Sequence, residues 1–291
     1  MPTTLASPTA TTTPAARARI APGLLAWPNL FTELHKRQPT LATAAQLFLL
    51  GALPCLIAMA LDPRTVNDIS VWVKPTKFFI SLALYFATLA WFFGYLPASA
   101  QASRRGRYVV LAAISAGGLE MAWLIGAAVM GVPAHFNRYS TAWAVAYNVA
   151  GATALVLLSA IVVQGLMIAR DRDVPLAPAF RRALVLAALL SAAATLVTAA
   201  TLSAGAGHWV GGTPSDAGGV PLLGWSRSGG DLRVAHFFAL HMHQALALWG
   251  GLIVMSGMRR PLLAVHVGAA AMLGLVTFTF MQALARQPFI G

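Results

Sequence analysis

Cysteine is nearly missing from these 291 residues, with Cys55 standing alone. One thiol closes no intrachain disulfide, and it cannot furnish the thiolate sets of zinc fingers or iron–sulfur clusters. Charge is scarce as well: Asp, Glu, Lys and Arg make up 10% of the chain, where a soluble domain runs nearer about a quarter. Acidic residues are the scarcest, eight against twenty Lys and Arg, which leaves a net charge of +12. In a soluble protein such an excess would suggest nucleic acid. Here the basic residues fall in short clusters between apolar runs, the pattern of topology signals and lipid-headgroup contacts, and no nucleic-acid partner is expected. What fills the chain instead is apolar, 58% of all residues, so bulk disorder is excluded too.

Residues 1–19 are mainly Thr, Ala and Pro with two arginines, the composition of a disordered tail, and no unbroken apolar core of signal-peptide length follows the start. Residues 20–38 mix Leu24, Trp27, Leu30 and Phe31 with Pro28, Lys36 and Arg37, which reads as an interfacial segment on the membrane surface. Residues 1–38 are thereby set apart from a membrane domain over 39–291. Seven apolar runs fill that domain, at 41–61, 75–96, 108–130, 142–168, 181–205, 233–256 and 262–285. Each has the roughly 20 residues that a helix needs to cross a bilayer. None has the short alternating pattern of a transmembrane strand. The expected fold is an all-α polytopic bundle of seven helices. Ala, Gly, Ser and Thr are frequent in the runs and favour close helix packing.

Thirteen of the twenty basic residues fall on the side of the N-terminus and the even connections. The positive-inside rule then places the N-terminus inside and the C-terminus outside, and an inner (plasma) membrane is the expected location. The outer connections are 62–74, 131–141 and 206–232. The last is long and Gly-rich, and its Trp209 and Trp225 read as interface anchors. Lys74 and Arg233 read as snorkelling to the outer interface, and Asp231 as the N-cap of the sixth span. The inner connections read as plain basic hairpins.

An ionisable group in a bilayer helix costs about 2.5–3.5 kcal/mol on insertion scales, so a group of them calls for a function. Glu120 lies in the middle of the third run. His241 and His243 lie near the same depth in the sixth, with Lys77, Asn148, His236 and Gln282 above them, and His135, Asn137 and Arg138 at the outer mouth. The polarity leans outward and points to a polar pocket that a small-molecule ligand reaches from outside. On a helix His236 and His243 share a face about 10.5 Å apart, whereas His241 and His243, two residues apart, point to nearly opposite sides.

Three strings, Trp72-Val73-Lys74-Pro75-Thr76-Lys77-Phe78, His135-Phe136-Asn137 and Asp231-Leu232-Arg233-Val234-Ala235-His236-Phe237 followed by Leu240-His241, resemble those of an uncharacterised group of bacterial multi-pass integral membrane proteins. The resemblance covers roughly residues 72–244. It implies a bacterial membrane protein and carries no mechanism. Other families fit less well. A retinal protein needs a lysine in its last span, and 262–285 has none. Seven-helix zinc hydrolases use a His-x-x-x-His pair where this chain has His-x-x-x-x-His. Diiron desaturases need more histidines than the seven present.

The first functional reading is a metal- or haem-dependent redox or hydrolytic membrane enzyme. Imidazole suits haem iron, zinc, copper and non-haem iron. His236, His241 and His243 are the candidate cofactor-binding residues. His135, His236 and His241 form the candidate metal set, with Glu120 as base. Glu120 and Lys77 are the candidate catalytic pair, Lys77 being placed to attract an anionic group. The alternatives are a proton-coupled or small-solute transporter, in which Glu120 and the histidines relay protons, or a non-catalytic membrane partner.

Overall fold

The computed structural model describes residues 30–291. The tail expected over 1–19 and the beginning of the interfacial segment lie outside them. The described chain starts with α1 (Leu30–Arg37), a short amphipathic helix stitched by a Glu33–Arg37 ion pair of 3.0 Å. Arg37 lays its guanidinium 3.9 Å from the Trp91 ring centroid, which docks α1 onto the bundle.

Seven long apolar helices follow: α2 (Pro39–Leu61), α3 (Val73–Phe93), α5 (Arg104–Met130), α6 (Thr141–Arg170), α7 (Pro178–Ala204), α8 (Leu232–Ser256) and α9 (Pro261–Leu284). A single turn, α4 (Ala98–Gln101), lies between α3 and α5. The helices begin and end where local chemistry dictates. Gln38, Ser103, Ser140 and Asp231 each accept a hydrogen bond from a first-turn amide, and Gly131 and Gly257 close α5 and α8 in left-handed conformations. The all-α seven-helix bundle is therefore present.

Neighbouring helices pack in the order α2, α3, α5, α6, α7, α8, with α9 laid over α7 and α8. Small residues set the spacing. A Cβ placed on Gly250 of α8 would lie 2.2 Å from the Ala183 Cβ of α7, and one on Gly165 of α6 would lie 2.4 Å from Ala188 of α7. Phe86, Phe93, Leu124, Ile168, Leu184 and Leu246 are fully buried in the core, while Leu47, Leu50, Ile57, Phe278 and Met281 of the flanking α2 and α9 turn outward. Such an apolar exterior suits a lipid bilayer.

The two ends of the bundle differ. One carries the connections 94–103, 171–177 and 257–260, with Arg104, Arg105, Arg107, Arg170, Arg181 and Arg182 on the adjoining helix ends and Arg172, Arg259 and Arg260 between them, and is called the basic end. There Arg181, read from sequence as a topology charge, is buried. It donates to the carbonyls of Ile168 (2.7 Å) and Val174 (2.6 Å) and to that of Asp171, and so braces the turn between α6 and α7. The other end is covered by ordered loops and is called the capped end. Strands β1 (Thr65–Val66) and β2 (Ile69–Ser70) form a hairpin, turned at Asn67 and Asp68, both with positive φ. That is the two-residue turn whose twist matches paired strands. Strands β3 (Trp209–Val210) and β4 (Gly230–Asp231) close the long 205–231 loop.

The cap has its own small core. Trp225 is 5% exposed and packs edge-on against Phe237 and Phe289, so the expectation of an interface anchor is corrected. Its indole serves the loop's need for apolar burial, which no glycine of that segment can supply. Trp209 stacks on His208 at 3.9 Å and donates to the Ser215 carbonyl. The hairpin joins the loop: the Asp216 amide donates to the Asn67 carbonyl and Ser215 Oγ to Asp68 Oδ2.

Candidate functional site

Lys74 and Lys77 stand one turn apart at the start of α3, on the same side of the helix. Lys77 Nζ donates to the Leu223 carbonyl at 2.8 Å. The next residue, Gly224, has φ +68, and a Cβ there would sit 3.4 Å from Lys77 Nζ. The glycine thus lets the loop come down onto the lysine. Lys74 makes no such bond. It lies within electrostatic reach of Glu120, Asp216, Arg233 and Lys77. Neither lysine has a carboxylate ion-pair partner among the described residues.

Arg233 is not snorkelling. Its Nη2 meets Asp231 Oδ2 at 2.6 Å, Asp216 Oδ1 at 2.8 Å and the Gly224 carbonyl at 2.6 Å. Asp231 caps α8 through the Arg233 amide and also accepts from the Ser226 amide. His208 Nε2 lies 3.0 Å from Asp216 Oδ1. Burial pushes the His208 imidazole below its usual value, outweighing the Asp216 bond. Asp216 is held below the usual carboxylate range: burial pushes it up, but the His208 and Arg233 bonds together win. A neutral His208 with its proton on Nε2, donating to an ionised Asp216, satisfies both.

The connection between α5 and α6 dips into the bundle. Gly131 turns left-handed, Trp123 Nε1 donates back to the Ala134 carbonyl at 2.9 Å, and Phe136 sits at φ 63, a conformation aromatic residues rarely adopt. The strained residue separates two inward-facing polar ones. The His135 ring packs between Phe78 of α3 and Tyr147 of α6, at 6.1 and 5.8 Å. Asn137 is 1% exposed, and neither its amide nitrogen nor its oxygen has a hydrogen-bond partner among the described residues. Burial, reinforced by the charge of Lys74, holds His135 well below the ordinary imidazole value, so it is neutral.

Glu120 is buried below this loop. Its Oε2 lies 2.9 Å from Thr153 Oγ1 of α6, and its Oε1 lies 3.9 Å from His135 Nε2. The second distance is too long for a direct hydrogen bond. His236 of α8 meets Thr198 of α7 at 3.1 Å through Nδ1 and is electrostatically coupled to His135.

The sequence-derived residues therefore divide. Glu120, His135 and His236 fall in one neighbourhood, joined by Lys74 in place of Lys77, whose nitrogen is occupied by the cap. His241 and His243 fall outside it. His241 lies 4.3 Å from the Phe237 ring. His243 is fully buried edge-on against Phe92 at 5.0 Å, with neither ring nitrogen bonded. The helix repeat explains the split. Seven residues carry His243 two turns down the face of His236, away from the dipping loop, and five carry His241 about 140° around.

Among the described residues no three His, Cys, Asp or Glu side chains converge as metal ligands, so His135, His236 and His241 are not gathered into a metal set. A haem fits poorly between His135 and His236. His135 Nε2 faces Glu120, its Nδ1 is enclosed by protein, and the Nδ1 of His236 is engaged by Thr198.

Sequence reasoning passed over Lys74, Thr153, Thr198 and Asp216. The one available signal was the spacing of Lys74 and Lys77 across Pro75, which puts two ammonium groups on one face at a helix start. No family model, no curated protein and no solved structure matches the chain.

Proposed function

We propose that this is a membrane-embedded binding protein for a small anionic solute, most simply a carboxylate, held at the capped end by Lys74, His135 and Asn137 and coupled to a proton on Glu120. The observation that carries the reading is Lys74. It is a half-buried ammonium beside a carboxyl–imidazole pair, without a carboxylate of its own. Removing a cation from water without a counter-charge is unfavourable, and an incoming anion relieves it. The two unpartnered amide atoms of Asn137 supply a donor and an acceptor of matching chemistry.

Glu120 supports the coupling. Thr153 has one hydroxyl hydrogen, yet its Oγ1 lies 2.7 Å from the Ala150 carbonyl and 2.9 Å from Glu120 Oε2. A protonated Glu120 donates to Thr153 while Thr153 donates to Ala150, and every group is satisfied. Loss of that proton leaves the carboxylate competing for one hydrogen and next to His135. Anion arrival at Lys74 and proton retention on Glu120 thus favour each other. With eleven of the eighteen Lys and Arg among the described residues at the other end, the capped end faces outward in this reading. Solute binding followed by proton-coupled passage is preferred to the metal-dependent enzyme, for which no ligand set is gathered among the described residues.

The test is thermal unfolding of the protein in lipid nanodiscs with acetate, lactate, succinate or phosphate, for wild type, Lys74→Gln and, as a remote control, His243→Phe. A bound anion at about a hundred times its Kd stabilises by about 2.7 kcal/mol, which at about 2–4 °C per kcal/mol raises Tm by about 5–10 °C. The shift should vanish in Lys74→Gln and persist in His243→Phe. If no anion shifts wild type, or if Lys74→Gln shifts equally, the reading is wrong. In proteoliposomes, Glu120→Gln should keep the binding shift and lose pH-driven uptake.

A further inference from the structure

At the basic end, remote from Lys74 and Glu120, a cavity of about 220 Å³ opens between α5 and α6. Arg104 and Arg105 from the first turn of α5 and Arg170 from the last residue of α6 form its rim. Val163, Leu166, Met167 and the Tyr108 ring form its floor and wall. The Tyr108 hydroxyl is already spent on Ser159 Oγ at 2.6 Å, so the polar capacity of the cavity is in the guanidinium groups. All three arginines are exposed and have no ion-pair partner among the described residues. The nearest acid in sequence, Asp171, accepts through Oδ1 from the Asp173 amide. Arg181 on the same end is the contrast: it turns inward and gives its hydrogens to carbonyls. Helix α5 also points its positive dipole end at the rim.

We infer that this cavity is a binding site for the phosphodiester headgroup of an anionic glycerophospholipid, with Arg104, Arg105 and Arg170 on the phosphate and an acyl chain lying on Val163, Leu166 and Met167. Guanidinium groups pair with phosphate oxygens in forked geometry. Basic pockets between helices at a membrane surface suit anionic headgroups. An apolar floor under a cationic rim matches an amphiphile, whereas free phosphate has nothing to place on the floor. The site is independent of the solute reading above and stands or falls without it.

Native mass spectrometry of the full chain released from detergent provides the test. Phosphatidylglycerol, phosphatidylcholine and inorganic phosphate are the probes. Each arginine near the headgroup is worth about fivefold in affinity, so wild type should prefer phosphatidylglycerol over phosphatidylcholine by about tenfold or more. Arg104→Gln/Arg105→Gln/Arg170→Gln should abolish the preference, and the corresponding triple lysine variant should keep most of it. If the triple glutamine variant does not fold, Arg170→Gln alone should lower the preference about fivefold. Equal retention of the two lipids by wild type, or an undiminished preference in the glutamine variants, overturns the site. Displacement of phosphatidylglycerol by millimolar phosphate overturns the lipid as its occupant, and no displacement supports it.

Discussion

His208 and Asp216 show how a single pair can make the cap sensitive to acid. Both groups titrate lower in the fold than in an unfolded chain. For each, the unfolded state binds more protons over the interval between the two values, so stability rises with pH there. The His208 contribution is complete above its ordinary value of about 6.5 and declines as pH falls below it. The Asp216 contribution persists to lower pH and is lost below about 3.8. Relative to the intrinsic amide exchange rate at each pH, the protection of the 205–231 segment should fall as pH drops from 7 to 5, and His208→Gln should remove that fall. A loss of protection unchanged in His208→Gln would move the pH dependence to another group. Lys74 and Lys77 teach a further lesson at this scale. Their spacing across Pro75 already tells that they share a helix face. Which of the two finds a loop carbonyl depends on Gly224, far away in the chain, and no local pattern carries that information.

Between elements, the spacing of α6, α7 and α8 rests on the absence of side chains. Gly250→Leu would drive its side chain into Ala183, and Gly165→Leu into Ala188. Overpacking of this kind costs about 1–3 kcal/mol, to be read as a lowered unfolding midpoint in detergent. The same substitution at Gly118 meets no neighbour and should leave the midpoint unchanged. Arg181→Leu removes the donor of three carbonyls at the α6–α7 turn. Bonds from a charged donor contribute about 1.5–3 kcal/mol each before solvation is regained, and here a drop of about 2–3 kcal/mol in unfolding free energy is expected, measured the same way. Helix existence was legible from sequence because an apolar run of bilayer length has few other outcomes. The dip of 131–140 was not. It is built by Trp123 reaching back to Ala134 and by an aromatic residue in a left-handed turn, neither of which has a periodic signature. His243 shows the opposite case. An imidazole in an apolar helix stands out in sequence, and the fold packs it against Phe92, apart from Glu120 and His135.

For the whole molecule, seven spans put the described N-terminal helix at the basic end and the C-terminal residues at the capped end. The native Cys55 is buried, so a Cys55→Ser background allows single cysteines to report sidedness. In intact cells an impermeant maleimide should label Thr213→Cys in the cap and spare Ala102→Cys at the basic end. The reverse pattern would invert the orientation and place the anion site on the inner face. Charge counting gives the expected orientation, because basic residues cluster at the helix ends and connections of one side, and the labelling pattern tests it. The cap was not legible, since its joints unite segments that neighbour each other only after folding.

Those joints also have a consequence for biosynthesis. Lys77 waits for a carbonyl 146 residues further along the chain, and the Asn67 side chain for a carboxylate 149 residues further. While the ribosome is still making α5, α6 and α7, Lys77 of α3 has no carbonyl to meet. Closure of the capped end therefore awaits the late 205–231 loop, and a nascent chain stalled before it would present quality-control proteases with an open, charged seam.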